Sequence, residues 1–326
     1  MSVLVTGAAG IVGYNTVIQC VEAGIDVVAY DRLECTLNPV ETGSVKVDWV
    51  QGDLNDWAHL LETAKKYNVE GVIHSAALPN VSSCRPVPLS ATRTNVLATQ
   101  NLLELARHLN WRRVVYVSTG AVFQSSNPDG FIKETDSISP DNVYGTTKYM
   151  GELVTNMYHK TYGVDSCTVR ASWVWGPPEL PGKFDLSRGP VRHYLMSALR
   201  GVEVNDPTGG DFRANLTYVK DLANALVLAY QKQSLTCRTF NISNGKHYSV
   251  AEVVAAVKKV VPGAAINVGP GLAPWSDIHV LRGSFDITPA QQELGFEVKY
   301  HLEEGLADYV KWLVDHQVDF SSIELK

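Results

Sequence analysis

The sequence predicts an α/β protein, a doubly wound parallel sheet carrying a smaller, loop-rich C-terminal lobe that binds substrate. Three observations predict it. Short β-branched runs alternate with longer segments of helical period through about the first 170 residues, which is the pattern of βαβ units. A cluster of glycines follows the first of those runs directly. After Arg170 the alternation loosens, and glycine and proline punctuate the chain as they do in a cap made of loops.

In order, Val3 to Thr6, Val27 to Tyr30, Val45 to Val50, Gly71 to His74, Val114 to Ser118 and Ser166 to Arg170 read as strands. Asn55 to Tyr67, Leu89 to Leu109 and Asn142 to Tyr162 read as the helices between them. Gly176-Pro177-Pro178, Pro181-Gly182, Gly189-Pro190, Pro207 and Gly209-Gly210 mark the cap. A helix at Val219 to Gln231 and a strand at Arg238 to Ile242 return to the sheet, and helices at Val250 to Val260 and Leu302 to Asp315 complete the chain. The expected domains are therefore residues 1–172, with return segments at about 214–243, and a lobe from about 173–213 and 244–326.

Composition excludes several classes. Twenty-eight Lys and Arg against 34 Asp and Glu give a net charge of -6, without the basic run that a nucleic acid would need. No apolar stretch is long enough for a membrane span, and strand-like Val3-Leu4-Val5 follows Met1 at once, so neither span nor signal peptide is expected. Five scattered cysteines, never in a C-x-x-C pair, point to a reducing, cytoplasmic location. The nine histidines show no metal-ligand spacing, and no metal is expected.

Gly7-Ala8-Ala9-Gly10-Ile11-Val12-Gly13 joins a strand to a helix, the context in which such glycines bind a dinucleotide. They permit a tight turn and let a pyrophosphate approach the backbone N–H groups at the helix N-terminus. Asp31 ends the second strand 18 positions after Gly13, the place of a carboxylate that binds the adenosine ribose and repels a 2′-phosphate. NAD is thus favoured over NADP, although the neighbouring Arg32 is a residue that can accommodate that phosphate. Asp53 in Gly52-Asp53-Leu54 either accepts from the adenine amino group or caps the next helix.

Tyr144-Gly145-Thr146-Thr147-Lys148 puts a phenol and an ammonium four residues apart, on one face of a helix. A lysine there favours the phenolate, and a phenolate can take a proton from an alcohol as hydride departs. The buried-type strand before it ends in Ser118-Thr119, either of whose hydroxyls is placed to bond the reacting oxygen or merely to end a strand. Trp173-Val174-Trp175 lines a pocket or simply packs.

Glycine turn, ribose carboxylate, strand-end hydroxyl and Tyr-x-x-x-Lys, in that order and spacing, resemble the extended short-chain dehydrogenase/reductase family of NAD-dependent epimerase/dehydratase type. The resemblance runs over essentially the whole chain and includes His74-Ser75-Ala76-Ala77, Thr94-Asn95-Val96, Tyr218 to Ala223, Phe240-Asn241-Ile242 and Glu293 to Phe296. It implies a Rossmann sheet and a cofactor held by Gly7, Gly10, Ile11, Val12, Gly13, Asp31, Arg32, Asp53, Leu54, Ser75, Ala76, Ala77, Asn95, Tyr144 and Lys148. It also implies Tyr144 as acid/base, Lys148 as its electrostatic partner, and Thr119 rather than Ser118 as the catalytic hydroxyl. Thr119, Tyr144 and Trp173 would meet a small-molecule substrate, and relatives pair the two long helices into a homodimer. His74 would stand near the cofactor without moving protons.

Two departures bear on substrate. Family members that dehydrate nucleotide sugars have Thr-Asp-Glu where this chain has Thr119-Gly120-Ala121, which argues against dehydration. Epimerases of UDP-sugars place asparagine where Trp173 stands, and Arg213 sits one position out of their register. The expected activity is NAD-dependent oxidation of a secondary hydroxyl on a polar, carbohydrate-derived molecule. The alternatives are an epimerase that recycles its cofactor and a non-catalytic dinucleotide sensor.

Overall fold

Along the first strand, Val3 and Val5 belong to one apolar cluster and Leu4 to another, so consecutive side chains serve opposite layers. The same alternation holds for Val27 and Ala29 against Val28 and Tyr30, and for Val115 and Val117 against Val114. A sheet covered on both faces is the consequence. These relations come from a computed structural model, which describes residues 2–35, 43–123, 129–178, 189–272 and 282–318. The expected turn at Pro181-Gly182 lies outside them.

Seven parallel strands form the sheet: β1 (Ser2–Thr6), β2 (Asp26–Asp31), β3 (Val47–Gln51), β4 (Val69–His74), β5 (Arg113–Thr119), β6 (Ser166–Ala171) and β7 (Thr239–Ile242). Their order is β7-β6-β5-β4-β1-β2-β3, so the chain reverses direction of growth at β1, where a crevice opens at the carboxyl ends. Eight helices of ten residues or more are described: α1 (Ile11–Glu22), α2 (Trp57–Lys66), α3 (Ala98–Leu109), α4 (Val143–Tyr162), α5 (Pro190–Leu199), α6 (Val219–Gln231), α7 (Val250–Val260) and α8 (Leu302–Asp315). Residues of α1 and α6 fill one face of the sheet, those of α2 and α3 the other. Caps set several ends: Asn142 accepts from Gly145 N at the start of α4, Gly163 closes it at φ 72°, and Ser249 with Glu252 forms a capping box on α7.

The helix expected from Leu89 to Leu109 is interrupted. A short α-helix at Pro88–Thr92 passes into a π-turn at Arg93–Leu97 before α3 begins. Asn95, inside that turn, ties its side-chain amide to Leu78 N and Leu78 O, which anchors the turn to the loop after β4. The C-terminal stretch also divides. Arg213–Asn215 pairs with His247–Ser249, and Tyr248, Val253, Leu306 and Tyr309 share a second core with α5. Phe285, Ile287, Ala290, Leu294 and Phe296 instead pack into the sheet's own core, and Ser284–Phe285 pairs with Phe131–Ile132. Residues 284–296 thus return the chain to the sheet domain.

Candidate active site

The glycine turn follows β1 and opens α1. Gly7 has φ +69°, and a Cβ there would lie 2.8 Å from Ala76 Cα, so the left-handed backbone and the close loop both require glycine. A Cβ on Gly13 would lie 2.0 Å from Gly7 O, which lets α1 leave directly above β1. Gly10 N donates to Gly7 O at 2.9 Å, and no side chain caps α1, so its first N–H groups face outward unpaired by side chains. Beside the turn, Asp31 Oδ2 accepts from Ala9 N at 3.0 Å and Oδ1 from Leu33 N at 3.0 Å. The Arg32 side chain is exposed, while its carbonyl accepts from Gln51 Nε2 at 3.0 Å. A cradle that any Cβ would fill, a helix N-terminus and a fixed carboxylate fit a dinucleotide.

Other expected cofactor residues are placed differently. Asp53 is exposed, its Oδ1 accepts from Asn55 N at 2.9 Å, and the residue that caps α2 is Asp56, which accepts from His59 N. Leu54 is buried in the core, and its carbonyl accepts from Asn101 Nδ2 at 2.9 Å. Asn95 is fully buried, and its Nδ2 also donates to Thr147 Oγ1 at 3.0 Å. It fastens the loop after β4 to α4. Ser75 donates to Thr6 O at 2.7 Å and, with Ala77, lines the central cavity; Ala76 N donates to Thr6 Oγ1 at 3.3 Å.

His74 sits in a continuous chain of hydrogen bonds. Its Nδ1 lies 2.7 Å from Thr6 Oγ1 and its Nε2 3.0 Å from Thr99 Oγ1, and Thr99 donates onward to Asn95 O at 2.9 Å. Because Thr99 uses its proton on that carbonyl, it accepts from Nε2–H, and Nδ1 accepts from Thr6. Burial, with Lys148 nearby, pushes the imidazole down to about 3, so this ring is neutral.

One cavity gathers Ile11 and Val12 from the turn, Ser75 and Ala77, Thr119, Tyr144, Lys148 and Trp173. At the end of β5 the two hydroxyls part. Ser118 Oγ donates to Glu152 Oε1 at 2.5 Å, and Glu152 is held by both arms of the buried Arg170, at 2.9 and 2.7 Å. Thr119 Oγ1 accepts from Ala121 N at 3.1 Å, and Thr119 lines the same cavity as the Tyr144 side chain. Burial raises the Tyr144 phenol to about 12, and the neighbouring Thr119 hydroxyl opposes this rise. Lys148 Nζ lies over the Tyr116 ring, 4.2 Å from its centroid, and burial draws it down to about 7 against the pull of Glu152 and Cys84. The expected lowering of the phenol by Lys148 is thus not what dominates here, because a lysine this buried is itself only partly charged at neutrality. Tyr116 OH donates to Lys148 O at 3.1 Å, which holds α4 against β5. The wall opposite the sheet was less legible: Trp173, at φ +44°, faces the cavity together with Arg192 and Arg282, two cations that no sequence pattern singled out.

Residues 3–243 match the NAD dependent epimerase/dehydratase family. The chain belongs to that family. It is 29% identical to a putative UDP-glucose 4-epimerase of Methanocaldococcus jannaschii over 95% of this chain and 98% of that protein. It is similar to the UDP-glucose 4-epimerase of Thermotoga maritima, solved with UDP-glucose, at 26% identity and a TM-score of 0.85 over 98% of this chain and all of that one. MoeE5, solved with UDP-glucuronic acid and NAD, is 30% identical with a TM-score of 0.82 over 97% of this chain and all of that one. The chain is an NAD-dependent enzyme of the extended short-chain dehydrogenase type, acting on carbohydrate. Among the described residues no helix is long and apolar enough to cross a membrane.

Proposed function

We propose that this enzyme oxidises a secondary hydroxyl of a polar, carbohydrate-derived small molecule, with Tyr144 as the acid/base, Thr119 as its hydrogen-bonding partner on the substrate oxygen, and Lys148 as the supporting cation. The observation that carries this reading is that Thr119, Tyr144 and Lys148 line one cavity with Ile11 and Val12 of the glycine turn, while the Ser118 hydroxyl is committed to Glu152. NAD, when bound, accepts the hydride. Tyr144 takes the hydroxyl proton and returns it when the reaction runs backward. Thr119 aligns the oxygen, and Lys148 offers a donor and a titrating charge beneath the same site. Asp31 supports NAD over NADP, since its carboxylate stands where a 2′-phosphate would lie.

The relatives named as epimerases favour a second reading, in which the same carbon loses and regains hydride and the cofactor is recycled. Absorbance of NADH separates the two. A dehydrogenase accumulates NADH in proportion to substrate; an epimerase changes the sugar with no net signal; no turnover of any sugar overturns both.

The proposed assembly is a homodimer through the α3 and α4 side of the molecule. Leu89, Leu97, Leu153 and Met157 are 80%, 47%, 50% and 40% exposed there, more apolar surface than a solvated helix pair needs. A monomer in sedimentation at micromolar concentration would contradict it. Five free cysteines support a reducing, cytoplasmic location.

A further inference from the structure

Three charged side chains line the central cavity, and all three are cations: Lys148, Arg192 and Arg282. No carboxylate lines it among the described residues. Arg282 is the unusual one. Its Nη1 is buried without a hydrogen-bond partner, and the charged group nearest in effect is the exposed Asp141. A buried guanidinium nitrogen with no acceptor is costly, and such a donor is retained where something brings it an acceptor.

Its position is fixed from both sides. The Arg282 carbonyl accepts from His247 Nε2 at 2.8 Å, Ser284 N donates to Gly130 O at 3.0 Å, and Phe285 packs edge-on against Phe123 in the core. The guanidinium rests on Gly120: a Cβ built there would meet Arg282 Nη1 at 2.8 Å and Ser172 Cβ at 3.1 Å. Gly120 directly follows Thr119 at the end of β5, and Ser172 follows β6. The glycine turn follows β1, and β4 stands between β1 and β5. Arg282 therefore belongs to the substrate's side of the crevice, next to the reacting oxygen, and not to the side where the cofactor's pyrophosphate is received.

Resting on the dehydrogenase reading above, we propose that Arg282 binds a carboxylate carried by the substrate within a bond or two of the hydroxyl that is oxidised, so that the substrate class is sugar acids. The planar fork of arginine suits a carboxylate held by two parallel bonds. In a nucleotide sugar the phosphate hangs from the anomeric carbon, several bonds from most ring hydroxyls, whereas an aldonic or uronic acid carries its anion on the carbon skeleton being oxidised. Burial lowers the arginine to about 10, which leaves it charged throughout the neutral range.

The test uses the full chain with NAD and a panel of aldonates and uronates, their neutral aldose and polyol counterparts, and UDP-sugars. The expected result is turnover of one or more sugar acids, with the neutral counterpart poorer by at least about tenfold in kcat/KM, the scale of one charge-assisted hydrogen bond. Arg282→Gln should raise KM for the acid by roughly 10- to 100-fold with a smaller change in kcat, and leave NAD affinity intact as the sign of a folded protein. A binding readout without turnover comes from Tyr144→Phe: the sugar acid should raise its melting temperature in the presence of NAD, and the double variant with Arg282→Gln should lose that shift. Equal use of acid and neutral sugar by the wild type, or an Arg282→Gln defect of the same size toward both, overturns the proposal. So does turnover of a UDP-sugar when no sugar acid binds. Sugar-acid binding that depends on Arg282 without any Tyr144-dependent turnover would instead overturn the catalytic reading and leave this one standing.

Discussion

The two walls of the cavity are built on different terms. On the sheet wall, Ala76 N–H, Thr6, His74, Thr99 and Asn95 form an unbroken hydrogen-bonded line, and Ser118, Glu152 and Arg170 form another. On the facing wall, Arg282 Nη1 and Trp175 Nε1 are buried without partners, and Trp173 holds a left-handed backbone. A saturated network fixes geometry within narrow limits, whereas open donors wait for a ligand. On the proposed reading, the sheet wall carries the chemistry and the lobe wall carries the choice of substrate.

The sharpest way to break the comparison is to remove the hydroxyl proposed to carry the proton. Tyr144→Phe keeps the ring and deletes only the hydroxyl, so kcat should fall by on the order of 10²–10⁴ while NAD affinity measured by titration stays nearly the same. Thr119→Val should be slow for the same reason, and Ser118→Ala should lose stability more than rate, since its hydroxyl serves Glu152. If Tyr144→Phe turned over normally, the sheet wall would have no catalytic meaning.

Next in size is packing beneath the turn. Gly13→Ala drives a methyl group into Gly7 O, and with backbone on both sides the helix itself must shift. A loss of about 1–3 kcal/mol in denaturant unfolding is expected, together with weakened NAD binding. An unchanged midpoint would show that α1 is freer to move than the glycine contacts imply.

A pH difference curve sharpens the electrostatic side. Lys148 titrates at about 7 in the fold and near its ordinary 10.5 when unfolded, so between those values the unfolded chain binds the extra proton. Stability of the wild type relative to Lys148→Met should therefore rise with pH through that window, by up to about 1.4 kcal/mol per pH unit, and level off above it. Glu152, Cys84 and His74 face Lys148 and are coupled to its charge, so the difference curve reads the Lys148 titration together with that coupling. A flat difference would place the ammonium in contact with solvent.

Smallest is the effect of Asp53→Ala, whose side chain serves only its own turn at Asn55 in the structure described. Stability should change by about 0.5 kcal/mol or less. A loss of NAD affinity of tenfold or more would place Asp53 at the adenine.

Much of the sheet wall was legible in the sequence because its signals are local. β-branched runs, glycines at a strand-to-helix junction and a four-residue spacing on one helix each report on neighbours along the chain. α6, α7 and α8 begin and end where their apolar period predicted, and Asn142 and Gly163 bracket α4 as caps should. The π-turn at Asn95 was not legible, because the phase shift that one inserted residue brings falls inside a run where alanine and leucine make several faces read as apolar. Nor was Arg282, a single arginine in a stretch without periodicity. Its meaning comes from Ser284–Phe285 pairing with Phe131–Ile132 some 150 residues earlier, a contact that no short-range pattern encodes.

Trp173 has a consequence for how such an enzyme changes over generations. Its backbone sits at φ +44°, a region that an indole-bearing residue enters only at a cost of order 1–3 kcal/mol and that asparagine or glycine enters freely. Exchange for either smaller residue would relieve the backbone and enlarge the cavity in one step. Most drifts in specificity must be tolerated by a protein's reserve of stability; at this position a drift away from tryptophan would add to it. The tryptophan therefore carries a backbone cost that contacts of its own side chain must offset.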